Sequence, residues 1–224
     1  MQAGGRVIAT TALIEALGKK GFQDIAEIEF TGHRVIAKRF GGGRFGGGRG
    51  AEAAGANSEA DLNIVLPQMG HFENDTWTSI PFSTAASGYP MVISARYGRG
   101  TFYALAIPDD FADLYRLPQS VLNQIRVLLG GDLFVSLDAA DHVSLFAYDN
   151  RTFIVQNLRA QPISGRVRVV RATRLRDLLS DQTLTGGQAG AGGGPRGRGN
   201  FGSNNGTPFE ITVPAHSFRV FQAE

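Results

Sequence analysis

The feature that most constrains the fold is a repeat of apolar residues at every second position from Asp132 onward. Successive side chains of a strand point to opposite faces, so several short segments of this kind are typical of two packed antiparallel sheets. Arg166, Arg168 and Arg171 mostly alternate with valines, which indicates one solvated sheet face. The sequence therefore predicts a β-sandwich over residues 132–224. Its predicted strands are 133–137, 142–148, 152–158, 165–171, 209–213 and 217–221.

The first half of the chain follows a different pattern. An apolar strand at 6–11, an amphipathic stretch at 12–20 and Gly21 predict the closing strand and helix of an open α/β sheet. Hairpins are predicted around Thr31-Gly32-His33 and around Gly98-Arg99-Gly100, with a loop at 67–87 between them. Residues 118–129 carry five apolar residues at helical spacing. We therefore predict an α+β chain, with a partial open α/β domain at 1–131 before the sandwich.

Two glycine-rich segments interrupt these patterns, at 41–56 and at 186–206. Glycine loses the most backbone entropy on ordering, so both are predicted to be flexible. Their arginines and phenylalanines resemble segments that contact RNA. However, the chain has a net charge of only +2, and a few arginines neutralise few phosphates. We therefore expect no nucleic-acid partner. No apolar run reaches the length of a membrane span, so no membrane partner is expected either.

Four polar residues are candidates for chemistry. Asp109 and Asp110 follow a predicted strand, at the end where open α/β sheets bind ligands, and two carboxylates can divide acid and base roles. The alternative is that they cap the next turn. His71 and Glu73 alternate along an extended segment and could bind a metal. A metal needs three or four converging ligands, so the alternative is a solvated loop, and no metal site is predicted.

Aromatic residues near the predicted loop at 67–87 suggest a binding surface. Trp77, Phe82 and Tyr89 could form a platform on which sugar rings stack. The alternative is that they cover a sheet edge or the core. Motifs for a serine nucleophile, a phosphate-binding loop or a dinucleotide are absent from the sequence, so no cofactor is expected.

Three stretches together carry a resemblance to a known family. They read Gly-Gly-Arg-Val-Ile-Ala-Thr-Thr at 4–11, continuing to residue 40, Tyr-Gly-Arg-Gly-Thr-Phe-Tyr-Ala-Leu-Ala-Ile-Pro-Asp at 97–109, and Asp-Leu-Leu at 177–179 with Val-Pro-Ala-His-Ser-Phe-Arg-Val-Phe at 213–221. Their order resembles the rear half of bacterial glycoside hydrolases of the β-galactosidase kind. The resemblance implies a flavodoxin-like or glutamine-amidotransferase-like α/β domain, often used for oligomer contacts, followed by a C-terminal β-sandwich.

The resemblance also implies what the chain does. The family's catalytic carboxylates lie on a barrel that this chain does not contain, and the amidotransferase cysteine has no counterpart because the chain has no cysteine. We therefore expect a non-catalytic accessory or assembly region, preceded by an upstream segment and exported to the periplasm or beyond. Its expected partner is the catalytic domain of a parent protein or a second copy. The alternatives are a glycan-binding module, using Trp77, Tyr89 or the sandwich surface, and a glycoside hydrolase using Asp109 and Asp110.

Overall fold

The chain is built mostly from β-strands and divides into two compact units. A computed structural model describes residues 3–18, 20, 26–41, 61–72, 76–187 and 206–224. The first unit is Met1–Pro118 and the second is Gln119–Glu224. Most of both predicted flexible segments, 41–56 and 186–206, lies outside the described residues. Within the described residues, no helix combines the length and the apolar character that crossing a bilayer requires.

The first unit contains a mixed sheet and a separate strand pair. Its elements are β1 (Arg6–Thr10), α1 (Thr11–Leu17), β2 (Ile28–Ala37), β3 (Arg39–Phe40), β4 (Ile64–His71), β5 (Thr76–Ser83), β6 (Gly88–Tyr97), β7 (Gly100–Leu105) and a 3-10 helix (Phe111–Arg116). The five-stranded sheet has the order β1-β7-β6-β5-β3, and β2 pairs with β4. Only the β1–β7 pair of the described strands is parallel. The predicted open sheet is therefore largely antiparallel, and an amidotransferase-like domain is not evident from its topology.

One predicted hairpin of this unit is confirmed and the other is wrong. Strands β6 and β7 join through a tight turn in which Tyr97 lies opposite Gly100 and Gly98 adopts a positive φ of 61°. Around Gly32, by contrast, the chain does not reverse. Strand β2 runs through this position and its register against β4 shifts between Phe30 and Arg34. Gly32 has a positive φ of 82°, so it allows a bulge within one strand where we predicted a turn.

The predicted loop at 67–87 is also wrong, because strands β4 and β5 occupy most of it. Both strands contain a proline, Pro67 in β4 and Pro81 in β5. Proline lacks the backbone N–H of a ladder hydrogen bond, and this makes such a segment look unlike a strand. Among the described strands β4 pairs with β2 alone, so one of its edges lies outside any ladder, and proline is tolerated on edge strands.

The second unit begins with a helix and continues as two antiparallel sheets. Helix α2 (Gln119–Leu129) confirms the helix predicted at 118–129. The strands are β8 (Val135–Asp138), β9 (Val143–Ala147), β10 (Thr152–Asn157), β11 (Ile163–Val169), β12 (Arg174–Asp177), β13 (Thr183–Thr185), β14 (Thr207–Val213) and β15 (Ser217–Ala223). One sheet has the order β13-β12-β15-β10-β9 and the other β14-β11-β8. All six predicted strands are present, and β12 and β13 were not predicted.

The apolar core of the second unit lies between these sheets. Its largest fully buried side chains are Phe153, Phe209 and Phe221, and the Phe153 and Phe221 rings lie 5.3 Å apart between centroids. Every strand but β13 contributes a buried core residue, and Leu184 of β13 packs against the cluster. The two sheets thus bury one shared apolar layer, as expected for a sandwich.

A partly buried arginine attaches helix α2 to the sandwich. The Arg126 guanidinium donates to the carbonyl oxygens of Ala139, Ala140 (2.8 Å) and Val143 (3.1 Å) in the β8–β9 connection, and to the Asn123 side chain (2.8 Å). Burial lowers the pKa of Arg126, and the Asp138 carboxylate partly opposes this effect. One side chain therefore satisfies three carbonyl groups and fixes the helix against the loop.

Candidate functional site

The acidic residues after β7 are each held by a structural partner. Asp109 Oδ2 accepts from Arg34 Nε at 2.8 Å, and both side chains are nearly half exposed. Asp110 accepts a hydrogen bond from the backbone N–H of Ala112 at 2.9 Å and caps the 3-10 helix. The two carboxylates are thus engaged with different partners, one an ion pair and the other a cap. Their acid and base roles remain a prediction.

The second candidate pair is described only in part. His71 is the last residue of β4 and lies opposite Ile28 of β2, partly exposed. Glu73 lies outside the described residues. Among the residues that are described, no group of three or more histidine, aspartate and glutamate side chains could hold a metal ion.

The aromatic residues proposed as a sugar platform lie on strands and not in a loop. Tyr89 lies opposite Phe82 across β5 and β6, with ring centroids 5.9 Å apart. Trp77 lies opposite Ser94 near the other end of the pair, under the guanidinium of Arg96 at 5.4 Å. Ser94 and Tyr89 are five residues apart on β6 and therefore face opposite sides of the sheet. Trp77 and Tyr89 do not share one surface, so each can act only in a separate site.

An ion pair with a buried carboxylate joins the two parts of the third sequence stretch that carries the family resemblance. The Asp177 side chain is 1% exposed and binds Arg219 Nη1 at 2.7 Å. Its other oxygen accepts from the backbone N–H of Leu179 at 2.9 Å, and the backbone of Leu178 donates to Val220 at 2.8 Å. The carboxylate is fully occupied by these contacts. Its role is to fix the end of β12 against the C-terminal strand β15.

The outward side of the five-stranded sheet of the second unit carries exposed aromatic rings. The core takes alternate residues of β9, β10 and β15, so the remaining residues face away from it. Among these are Phe146, which is 47% exposed, and Phe218, which is 48% exposed. Tyr148 is 48% exposed and follows β9, where its backbone N–H donates to Thr152. We call this surface the aromatic face, and it consists of Ser144, Phe146, Tyr148, Thr152, Ile154, Gln156, Phe218, Val220 and Gln222.

The outward side of the three-stranded sheet is of a different kind. Arg166 of β11 pairs with Glu210 of β14 at 2.6 Å, and the next outward residue of β11 is Arg168. The alternation of arginine with valine predicted this solvated face, and the structure confirms it. The two outer faces of one sandwich therefore differ, since one is charged and the other aromatic.

Sequence reasoning did not single out the residues of the aromatic face. Phenylalanine on a strand is ordinarily a core residue, and Phe153 and Phe221 are indeed buried. The sequence signal that could have found them is which alternate positions of each strand face the core. Phe218 lies three residues before the buried Phe221, an odd spacing that places the two rings on opposite faces of β15.

One comparison with known proteins concerns the second unit. Residues 134–223 match the family model described as "Probable glycosyl hydrolase, C-terminal domain". This span starts one residue before β8 and ends with β15. The match confirms the predicted resemblance, at the level of a C-terminal region of a glycoside hydrolase-like protein.

Two further comparisons concern whole chains. No curated protein matches this chain significantly. Among solved structures, it is similar to a β-galactosidase from Bacillus circulans sp. alkalophilus, with 15% sequence identity and a TM-score of 0.45. That similarity covers 100% of this chain and 30% of the β-galactosidase chain. The chain therefore spans less than a third of the length of that protein.

Proposed function

We propose that this chain is a non-catalytic accessory region of a larger carbohydrate-active hydrolase. The observation that carries the proposal is the family match, which covers all eight strands of the sandwich. A C-terminal domain implies a polypeptide with other domains, and its partner in this proposal is the catalytic domain of that parent protein. A second copy of the chain is the other partner to consider.

The proposal includes a domain assignment. Residues 1–131 form the end of an amidotransferase-like, flavodoxin-like α/β domain, and residues 132–224 form the sandwich. In support, β1 and β7 are parallel, and α1 follows β1 directly, in the order in which α/β folds alternate their elements. The antiparallel strands β6, β5 and β3 extend this pair, as antiparallel edge strands do in many α/β sheets.

The contacts that Asp109 and Asp110 make support a non-catalytic role. Asp109 neutralises Arg34 and Asp110 caps a helix, so each carboxylate has a structural task. Acid and base catalysis by two carboxylates requires that their environments separate their pKa values and that both face one substrate. The alternative function, a glycoside hydrolase using Asp109 and Asp110, needs both side chains to leave these partners.

Hydrolysis assays on the purified chain test the proposal. A panel of aryl-glycosides and polysaccharides is incubated with the wild-type chain and with Asp109→Asn and Asp110→Asn. We expect no turnover above the rate without protein for any of the three. Turnover by the wild type that is lost in either variant would place an active site after β7 and overturn the proposal.

The assembly role has a separate test on the parent protein. Size-exclusion chromatography with light scattering compares the parent protein with and without this region. We expect a smaller oligomer, or an altered association of domains, when the region is removed. An unchanged oligomer would exclude assembly and leave an accessory role of another kind.

A further inference from the structure

We propose that the aromatic face of the second unit binds an uncharged polysaccharide chain in an extended conformation. This inference rests on the proposed function for the class of ligand, because a region of a carbohydrate-active hydrolase works beside carbohydrate. The surface, the residues and the geometry come from the sandwich itself.

The register of three neighbouring strands fixes the arrangement of the face. Ile154 of β10 lies opposite both Phe146 of β9 and Val220 of β15, and forms a row with them. In the next row, Gln156 lies between Ser144 and Phe218. Rows on one side of a sheet are about 7 Å apart and strands about 4.8 Å apart. The two phenylalanines, two strands and one row apart, are therefore separated by roughly 12 Å.

A third row adds a ring and two polar groups. Tyr148 donates its backbone N–H to Thr152 O at 2.9 Å, which places it beside Thr152 and one row from Phe146. Thr152 in turn lies opposite Gln222, and its hydroxyl donates to the Gln222 side chain at 2.8 Å. The Gln222 amide also donates to Asn150 O at 3.0 Å, so this side chain is held in place. This row thus places the Tyr148 ring beside two ordered neutral polar side chains, Thr152 and Gln222.

The chemistry of the face suits an uncharged sugar chain. Aromatic rings offer flat apolar surfaces to the C–H faces of sugar rings, while amides and hydroxyls can donate to and accept from sugar hydroxyls. The outward residues of β9, β10 and β15 include no charged side chain. On the neighbouring strand β12, Arg176 is paired with Asp181 at 2.6 Å. Charged ligands therefore find no uncompensated partner on the central strands.

The size of the face argues against a protein partner. Three strands and three rows span roughly 10 by 14 Å between backbone positions, or on the order of 300 Å² with the side chains included. A stable protein interface covers about 800 Å² on each partner. An extended oligosaccharide needs only a narrow strip and can stack on separate rings, so it fits the available area.

Affinity electrophoresis of the full chain tests this inference. Native gels contain galactan, galactomannan, arabinoxylan or hydroxyethylcellulose as neutral probes, and polygalacturonate as a charged one. We expect at least one neutral polysaccharide to retard the wild type. Replacing one ring, in Phe146→Ala or Phe218→Ala, should weaken the affinity about fivefold, and the double variant about 25-fold, since stacking contributes roughly 1 kcal/mol per ring. The control is Phe111→Ala, a residue 66% exposed in the first unit, which should leave binding unchanged.

Each other outcome decides against the inference. It is overturned if no neutral probe retards the wild type, if only polygalacturonate does, or if the double variant binds as well as the wild type. Self-association that light scattering detects in the wild type and not in the double variant would show a protein interface instead. Circular dichroism of each variant confirms that exposed rings were removed without unfolding. If the gels show no binding and the hydrolysis assay shows no turnover, this inference fails and the proposed accessory role stands. If the hydrolysis assay shows turnover, the accessory role fails whatever the gels show.

Discussion

The buried pair of Asp177 and Arg219 gives the sharpest prediction about stability. Replacing Asp177 by asparagine keeps the shape of the side chain and the oxygen that accepts from Leu179, but it turns an amide group toward the Arg219 guanidinium. A hydrogen bond to a charged group contributes about 1.5 to 3 kcal/mol, and breaking a fully buried pair costs about 3 to 5 kcal/mol. The Arg219 side chain is 28% exposed and can reach water, so the cost lies near the lower range. We expect Asp177→Asn to lower the free energy of unfolding by about 2 to 3 kcal/mol.

The assay separates the two units. The chain has a single tryptophan, Trp77, and it lies in the first unit. Its fluorescence therefore follows that unit during urea unfolding, while far-ultraviolet circular dichroism follows both. The expected change appears in circular dichroism and not in fluorescence. In a heat scan, the same loss of stability lowers the Tm by about 10 °C for a domain of about 100 residues.

A neighbouring aspartate supplies the control. Asp181 also pairs with an arginine of β12, Arg176, but its side chain is 76% exposed. Asp181→Asn should leave unfolding nearly unchanged, because solvent screens exposed pairs. If Asp177→Asn changes stability by less than about 0.5 kcal/mol, within the range of ordinary surface substitutions, or no more than Asp181→Asn does, the ion pair does not fix β12 to β15 and the reasoning is refuted.

Other predictions concern single contacts. Arg126→Met should lower the stability of the second unit by about 2 kcal/mol, because it leaves buried carbonyls without a donor; urea unfolding measures this, and no change would refute the attachment of α2. Gly206→Ala should cost about 1 to 3 kcal/mol, since its added methyl would lie 2.9 Å from the backbone of β11. Gly187→Ala is the matched control, with its nearest neighbour at 3.6 Å, and equal effects of the two variants would contradict the steric argument. The hydrogen bond and charge of Lys38 lower the pKa of Asp61 below 3.8, so this pair stabilises the fold above about pH 4 and the contribution is lost as the pH falls through the lowered pKa. An NMR titration should show the pKa of Asp61 rising in Lys38→Met, and an unchanged pKa would exclude the pairing.

The sequence was informative wherever one residue pattern had one structural solution. The alternation of arginine and valine at 166–169 predicts a half-buried strand, and β11 contains these residues. Strand β12 was missed because it is four residues long and three of them are charged, which removes the apolar signal. Around Gly32 the sequence is compatible with either a turn or a bulge. That choice depends on β4, which pairs with this segment from more than 30 residues along the chain.

The candidate sites were harder to predict for a similar reason. Trp77 and Tyr89 are aromatic and close in sequence, but the register and pleat of the β5–β6 pair place them on opposite faces. Phe146 and Phe218 are 72 residues apart in the sequence, and only the pairing of β9 and β15 with β10 brings them to one surface. Asp109 and Asp110 could be chosen by type and position, yet their partners belong to contacts that the sequence does not reveal.

The position of β15 has a consequence for how the sandwich forms. This strand follows all the others along the chain, yet it lies in the middle of its sheet, between β10 and β12. During synthesis, β9 and β10 can pair as a local hairpin, and β12 can pair with β13. Among the described strands, only β15 pairs with both β10 and β12. Long-range pairing of this kind is slow, and it leaves apolar strand edges exposed in the meantime. The Asp177 carboxylate lies on β12, and its partner Arg219 on β15 is synthesised 42 residues later. The ion pair therefore forms only when β15 pairs with β12.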